Sequence, residues 1–337
     1  MHTINASNVN DAYVQAITHM RHIMRGAPAQ QSRAGDVIES QVPVTTVYGR
    51  PWQCVLWDAR RDANPFFHLF ESLWMLAGRR DIGFLSKFSS AIGAFVDDGT
   101  GEQHGAYGYR WRQWFGFDQL DALVAHLKAD PMSRRAVLQM WDPEGDLCKR
   151  IPMTQDWQPA AGKDLPCNTS VYFSLRSGEL TMMVSNRSND IILGCYGANA
   201  VHFSILQQYM AFRLGVPAGQ YTQVSFNWHT YTKTWDDKIG EIWYPSHDQY
   251  KLGVQHLPWD IPDAELLTFM NNPQFNHGAY QSSFLTNVVI PMWDAWALWK
   301  KDRMAAIDFI KTAEKLGPAV DWLVACRMWM ERRVSHA

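Results

Sequence analysis

The sequence has almost no net charge: 31 basic side chains stand against 33 acidic ones, a formal balance of −2. A general nucleic-acid binder carries a basic excess, so any anion held here must be small and met by a local cationic pocket. Cysteine is scarce, five in 337 residues, odd in number and scattered at positions 54, 148, 167, 195 and 326. There is no C-x-x-C pair and no His/Cys cluster with zinc spacing, so the expectation is reduced thiols, no metal and a cytoplasmic setting. No run of 18 apolar residues occurs, which leaves no candidate membrane helix. Residues 1–25 lack the apolar core and cleavage signal of a secretory leader. Neither a strand-preceded G-x-G-x-x-G nor a G-x-x-x-x-G-K-[ST] loop is present, and no internal repeat or low-complexity segment is found.

What remains is a chain built to bury surface. Hydrophobic residues make up 47% and charged residues 19%, with 16 Trp, 16 Phe and 12 Tyr, enough for one large core. Apolar spacing predicts a helix over 8–24. Strands are expected over 38–56, around the turn at Gly49, Arg50 and Pro51. Asn64 as N-cap, Pro65 at the first helical position and Gly78 at the end frame a second helix, apolar nearly all round. Glu71 sits inside it, a costly place for a carboxylate without a partner or a task. Further helices are expected over 118–129 and 199–214, and strands over 136–141 and 225–231. Residues 144–163 read as a loop, 244–281 as irregular, and 284–333 as helical in two pieces split near Leu316, Gly317 and Pro318.

Chemistry concentrates between Leu165 and Tyr231. Cys167 follows Pro166. A hairpin pattern over 171–184 turns at Arg176, Ser177, Gly178 and Glu179, and leads to Arg187-Ser188-Asn189-Asp190. A glycine-bearing loop, a long helix and His229-Thr230-Tyr231 follow. A lone cysteine is more often a buried hydrophobe than a nucleophile. A thiolate needs cationic support, and Arg187, Arg134 and Arg135 are the candidates. A cysteine hydrolase needs a histidine base; His202 and His229 are available, but no protease-type signature surrounds Cys167.

Six segments, in order and spacing, resemble the thymidylate synthase family. They are Glu71-Ser72-Leu73-Trp74-Met75-Leu76, Ala106-Tyr107-Gly108-Tyr109-Arg110-Trp111, Ser133-Arg134-Arg135, Leu165-Pro166-Cys167, Arg187-Ser188-Asn189-Asp190 with Gly194, and His229-Thr230-Tyr231. The likeness covers about residues 30–240. It implies an α/β (α+β) fold with a large mixed sheet backed by helices over 1–245, to which the residue pattern adds a mostly helical C-terminal extension over 246–337, packed on the same domain. It implies covalent catalysis: Cys167 attacks C6 of a pyrimidine nucleoside monophosphate, and C5 then takes a one-carbon unit from 5,10-methylenetetrahydrofolate. By the same resemblance Glu71 acts through water on the O4 or N4 edge, and Tyr107 assists loss of the C5 proton. Arg134, Arg135, Arg187 and Ser188 hold the phosphate, with Arg134 and Arg135 donated by the other subunit of a homodimer. His229 and Tyr231 hold the sugar, and Asp190 the pterin of the folate.

The departures from the family pattern concern the base and the product. Asn168 follows the nucleophile where synthases have His. Eleven residues beyond Arg187, where synthases carry the Asn that reads uracil, stands Ala198; Asn199 is one step later. Either Asn199 reads the base through a one-residue insertion, or the choice is made elsewhere. Asn189 is the residue found in a phage dCMP hydroxymethylase. The chain also runs well past the point where synthases end in a short closing tail. Together these tilt the expectation toward water capture, that is, hydroxymethylation of dCMP or CMP. Reductive methylation of dUMP or dCMP is the alternative, and a non-catalytic nucleotide-binding relative the alternative of another class.

Overall fold

A computed structural model describes residues 1–96, 100–150, 157–159, 164–316 and 320–335. Its strands are β1 (His2–Ala6), β2 (Gln30–Ser32), β3 (Gly35–Glu39), β4 (Val44–Tyr48), β5 (Val137–Gln139), β6 (Cys148–Arg150), β7 (Trp157–Pro159), β8 (Asn168–Arg176), β9 (Glu179–Asp190) and β10 (Ala218–Tyr231). Its helices are α1 (Val9–Met24), α2 (Pro65–Leu76), α3 (Ile82–Leu85), α4 (Tyr107–Tyr109), α5 (Gln119–Ala129), α6 (Asn199–Leu214), α7 (Thr232–Lys238), α8 (Asp263–Asn271), α9 (Ile290–Trp299), α10 (Arg303–Lys315) and α11 (Asp321–Val334).

The expected mixed sheet is present. Eight strands run in the order β1-β4-β10-β9-β8-β5, with β3 added to β10 and β2 to β3. The β8–β9 hairpin closes Arg176 onto Glu179, with Ser177 and Gly178 both at positive φ, as a two-residue turn demands. β9 and β10 are parallel, His229 lying opposite Asp190. The connection between them carries α6, so this is a βαβ unit, and chemistry gathers at the C-terminal ends of such strands.

One sheet face is sealed by α6. Phe173, Met182 and Val184 are buried there, and Gln207 Nε2 donates to the carbonyls of Leu180, Gly219 and Gln220. The opposite face is open: Val137 pairs with Tyr172, Tyr172 with Met183, and Met183 with Thr222, and Tyr172 is 41% exposed.

α2 forms as its signals predict. Asn64 accepts from the Phe67 N–H, Pro65 takes the first turn, and Gly78 has φ +70°. It packs between α6 and the C-terminal helices: Phe66 meets Trp296 and Trp329, and Phe70 meets Trp293 and Phe88. That burial on two sides explains a helix apolar nearly all round.

Several expectations need correction. The two strands expected over 38–56 are β3 and β4; both lie before Gly49, which turns the chain back toward Ala6. β1 and β2 were not foreseen, because short strands with polar residues carry little periodicity. Residues 144–150 are a turn and strand rather than loop; most of 151–163 lies outside the described residues, as do Gly317 and Pro318. The region 244–281 contains α8, and the C-terminal stretch is three helices, not two pieces. Arg332 and Arg333 are structural: both grip Asp62, and Arg333 lies over Trp329. No helix of the described residues is long and apolar enough to cross a membrane.

Candidate active site

A cavity of about 430 Å³ opens at the C-terminal ends of β9 and β10, a volume suited to a small ligand. Glu71, Tyr107, Cys167, Arg187, Ser188, Ala198, Asn199 and Tyr231, all expected in one site, line it together. A larger groove of about 770 Å³ lies elsewhere, against the end of α6 and residues 254–259. It contains none of the predicted residues, so the chemistry points to the smaller cavity.

Cys167 precedes β8, where a register shift between Asn168 and Ser170 breaks the ladder. Its carbonyl accepts from the Arg187 N–H. The Arg187 side chain folds back on the same segment, Nε donating to the Pro166 carbonyl at 2.8 Å and an Nη to the Leu165 carbonyl at 3.3 Å, with Trp141 beneath the guanidinium. Burial pushes the Cys167 thiol above its ordinary value; Arg187 pulls it down, Asp164 pushes it up and Arg33 pulls it down. Desolvation wins, so the resting nucleophile is a thiol with two cations beside it.

Tyr107 lines the same cavity and reaches the Cys167 segment. Burial and the neighbouring Cys167 raise its phenol, while contacts to the Cys167 backbone and the Asn168 side chain oppose this. Its position depends on Gly108. A Cβ there would lie 1.8 Å from the Met75 carbonyl oxygen, so only glycine lets α4 seat against the end of α2. Arg110, next in that motif, is fully buried in a forked pair with Asp146 and stacks on Trp114; it builds the wall rather than the site.

The segment Ile191–Ala198 is π-helical. A π turn takes one more residue than an α turn, a local geometry compatible with a one-residue longer path from Arg187 to Asn199. Asp190 Oδ1 caps it, accepting from the Ile192 and Leu193 N–H groups. Arg61 donates to the Ile192 and Leu193 carbonyls, and its guanidinium lies 2.7 Å from where a Cβ on Gly197 would be. Ala198 and Asn199 both reach the cavity, but only Asn199 brings an amide. Its Nδ2 donates to Asn189 Oδ1 at 3.0 Å, and its Oδ1 accepts from Asn168 Nδ2 at 3.5 Å.

Some expected residues stand outside the cavity. Asn189 is buried behind Asn199, donating to the Ser225 hydroxyl and accepting from the Asn199 amide, and is not in the lining. His229 packs edge-on against Tyr231 and bonds Asn227 Oδ1; burial lowers its pKa, which keeps the imidazole neutral. Asp190 is not in the lining, although its Oδ2 is buried without a hydrogen-bond partner. Arg134 and Arg135 are exposed just before β5 and do not line this chain's cavity. Neither His202 nor His229 hydrogen-bonds Cys167, which speaks against a hydrolase dyad.

Two charged lining residues escaped the sequence reading. Arg33 and Asp164 sit in polar stretches with no periodicity to mark them. A third, His202, was weighed only as a base for Cys167; it instead lies 2.9 Å from Glu71.

The thymidylate synthase family model matches residues 61–255. A protein named deoxyuridylate hydroxymethyltransferase from Pseudomonas phage M6 is 38% identical over 99% of this chain and 95% of its own length. Proteins of the same name from Bacillus phage SP01 and Delftia phage PhiW-14 are 37% and 29% identical, over 61% and 54% of this chain and 54% and 50% of their own lengths.

Proposed function

Because the chain belongs to the thymidylate synthase family and transfers a one-carbon unit to C5 of a pyrimidine nucleotide, we propose that its substrate is deoxyuridylate and its product the 5-hydroxymethyl nucleotide. The observation that carries the base assignment is Asn199, delivered into the cavity by the π turn. In the orientation set by Asn168 and Asn189, its amide offers one oxygen and one N–H, the complement of uracil N3–H and O4. Cytosine would need the amide, and the Asn168–Asn199–Asn189 chain with it, to turn over. The sequence-based weight on cytosine rested on several departures together: Asn168, Ala198 at the counted position, Asn189 and the extended C-terminus. The names of the phage relatives agree with uracil and with a hydroxymethyl product.

In this reading the Cys167 thiolate attacks C6, C5 becomes enamine-like, and one difficult substitution becomes several easier steps. Arg187 and Arg33 face the phosphate and support the thiolate, with Ser188 as a further donor. Tyr231, braced by His229, meets the sugar. Tyr107 assists removal of the C5 proton. The one-carbon donor is methylenetetrahydrofolate; the orphan Asp190 Oδ2 is an acceptor suited to the N–H edge of its pterin. Arg134 and Arg135 complete the phosphate site of a second copy, the open sheet face around Tyr172 and Met183 serving as the homodimer interface.

Incubation with dUMP, dCMP or CMP and methylenetetrahydrofolate, followed by mass spectrometry and the dihydrofolate absorbance band, tests the proposal. The expected result is gain of CH2O on dUMP with no dihydrofolate. Gain of a methyl group with dihydrofolate, or a product from a cytosine nucleotide alone, would contradict it.

A further inference from the structure

We infer that His202 and Glu71 together hold the water that ends the reaction as a hydroxymethyl group. The inference rests on the hydroxymethylation reading above. The two side chains belong to α6 and α2, which pack against each other. His202 Nε2 and Glu71 Oε2 are 2.9 Å apart, the side chains only 4% and 15% exposed. Despite the distance, neither atom makes an aligned hydrogen bond. An unmet polar atom in the interior costs about 1–3 kcal/mol, and two of them side by side at a cavity wall mark a place for a shared polar ligand. One water bonded to both atoms satisfies them.

The position fits the step. His202 is three residues after Asn199, so both lie on one face of α6, about 5–6 Å apart at Cβ. His202 thus stands one helical turn from the Asn199 amide, on the same cavity wall. His68 stands behind His202, their rings tilted with centroids 6.3 Å apart. Burial and the charges of Arg61 and His202 keep His68 neutral, so Glu71 is the carboxylate that answers His202.

After one-carbon transfer and departure of tetrahydrofolate, the nucleotide carries a methylene at C5 conjugated with the C4 carbonyl, and sulfur at C6. The water oxygen bonds to the methylene carbon, and its proton passes to Glu71. The electron pair of the exocyclic double bond moves toward O4, then returns to form C5=C6 as the Cys167 thiolate leaves C6. Water is consumed, nothing is oxidised or reduced, and the product is the 5-hydroxymethyl nucleotide.

The test separates early from late steps in the full-length enzyme and its His202→Ala and His202→Gln variants. Tritium release from C5-labelled deoxyuridylate reports the steps up to the methylene. Mass spectrometry reports the hydroxymethyl product, with 2-mercaptoethanol added to compete for the methylene carbon. We expect tritium release to change by no more than about threefold, while the hydroxymethyl product falls at least roughly tenfold in the Ala variant. The missing product should appear as the mercaptoethyl thioether. The Gln variant, which keeps volume and hydrogen-bonding capacity, should fall between. Tritium release and product falling in proportion in the Gln variant, or product unchanged, would overturn the inference. A wild-type enzyme that forms no hydroxymethyl nucleotide would instead overturn the reading beneath it.

Discussion

The two walls of the cavity are built differently. On the strand side, Arg187 is clamped by the carbonyls of Leu165 and Pro166, and its own N–H holds the Cys167 carbonyl. Main-chain register fixes nucleophile and cation together. On the helical side, Glu71 Oε2, His202 Nε2 and His68 Nδ1 are buried without aligned partners. Around Cys167 and Arg187 the strand wall already makes its hydrogen bonds in the free protein, whereas the Glu71–His202 side of the helical wall keeps bonding capacity for what enters. In the proposed reaction, attack on the ring calls for a fixed nucleophile, and proton movement and water capture call for groups with unused bonding capacity.

The largest effect should come from breaking the strand wall at its reactive atom. Cys167→Ala should lower product formation by at least roughly 10³-fold with the fold unchanged, measured by product assay and circular dichroism. Residual activity close to wild type would place the chemistry elsewhere. Arg187→Met should cost about 10²-fold in kcat/KM for the nucleotide. It should also slow alkylation of Cys167 by iodoacetamide, since desolvation would then act with less cationic opposition. The sign is specific: alkylation of the free wild-type enzyme should rise with pH, with a midpoint above that of an ordinary cysteine near about 8.5. The variant's midpoint should lie higher still.

Asn199→Asp sharpens the comparison from the helical side. A carboxylate accepts from the cytosine amino group but lacks the donor for uracil O4. The ratio of kcat/KM for dUMP over dCMP should therefore fall by at least about tenfold; an unchanged ratio would remove Asn199 as the reader. The smallest effect on chemistry belongs to the joint between the walls. Gly108→Ala should cost about 2–3 kcal/mol in denaturant unfolding, because a Cβ would strike the Met75 carbonyl. Unaltered stability would show that α4 can reseat.

The strand wall was legible in the sequence because its residues are neighbours along the chain. Cys167 and Arg187 are joined by one hairpin whose turn residues announce themselves. The fold class and α2, with Asn64, Pro65 and Gly78 marking its ends, were equally readable. The helical wall was not, since the His202–Glu71 approach is a tertiary fact about α6 meeting α2. Counting from Arg187 lands on Ala198, and the π-helical path of residues 191–198, which periodicity does not announce, is what brings Asn199 as well as Ala198 to the cavity. Asn189 and His229 carry motif signals but lie one layer back, Asn189 hydrogen-bonded to Asn199 and His229 packed edge-on against Tyr231. Arg134 and Arg135 lie outside the cavity of the chain that carries them; only the family resemblance, and no pattern in the residues themselves, led to that expectation.

The most direct measurement is covalent trapping. Fluorine at C5 cannot leave as a proton does, so 5-fluorodeoxyuridylate with methylenetetrahydrofolate should stop the reaction with nucleotide and folate both attached. Intact-protein mass spectrometry followed by peptide mapping should find this adduct on Cys167, in the wild-type enzyme and in His202→Gln alike. No adduct, or one on another residue, would contradict the account.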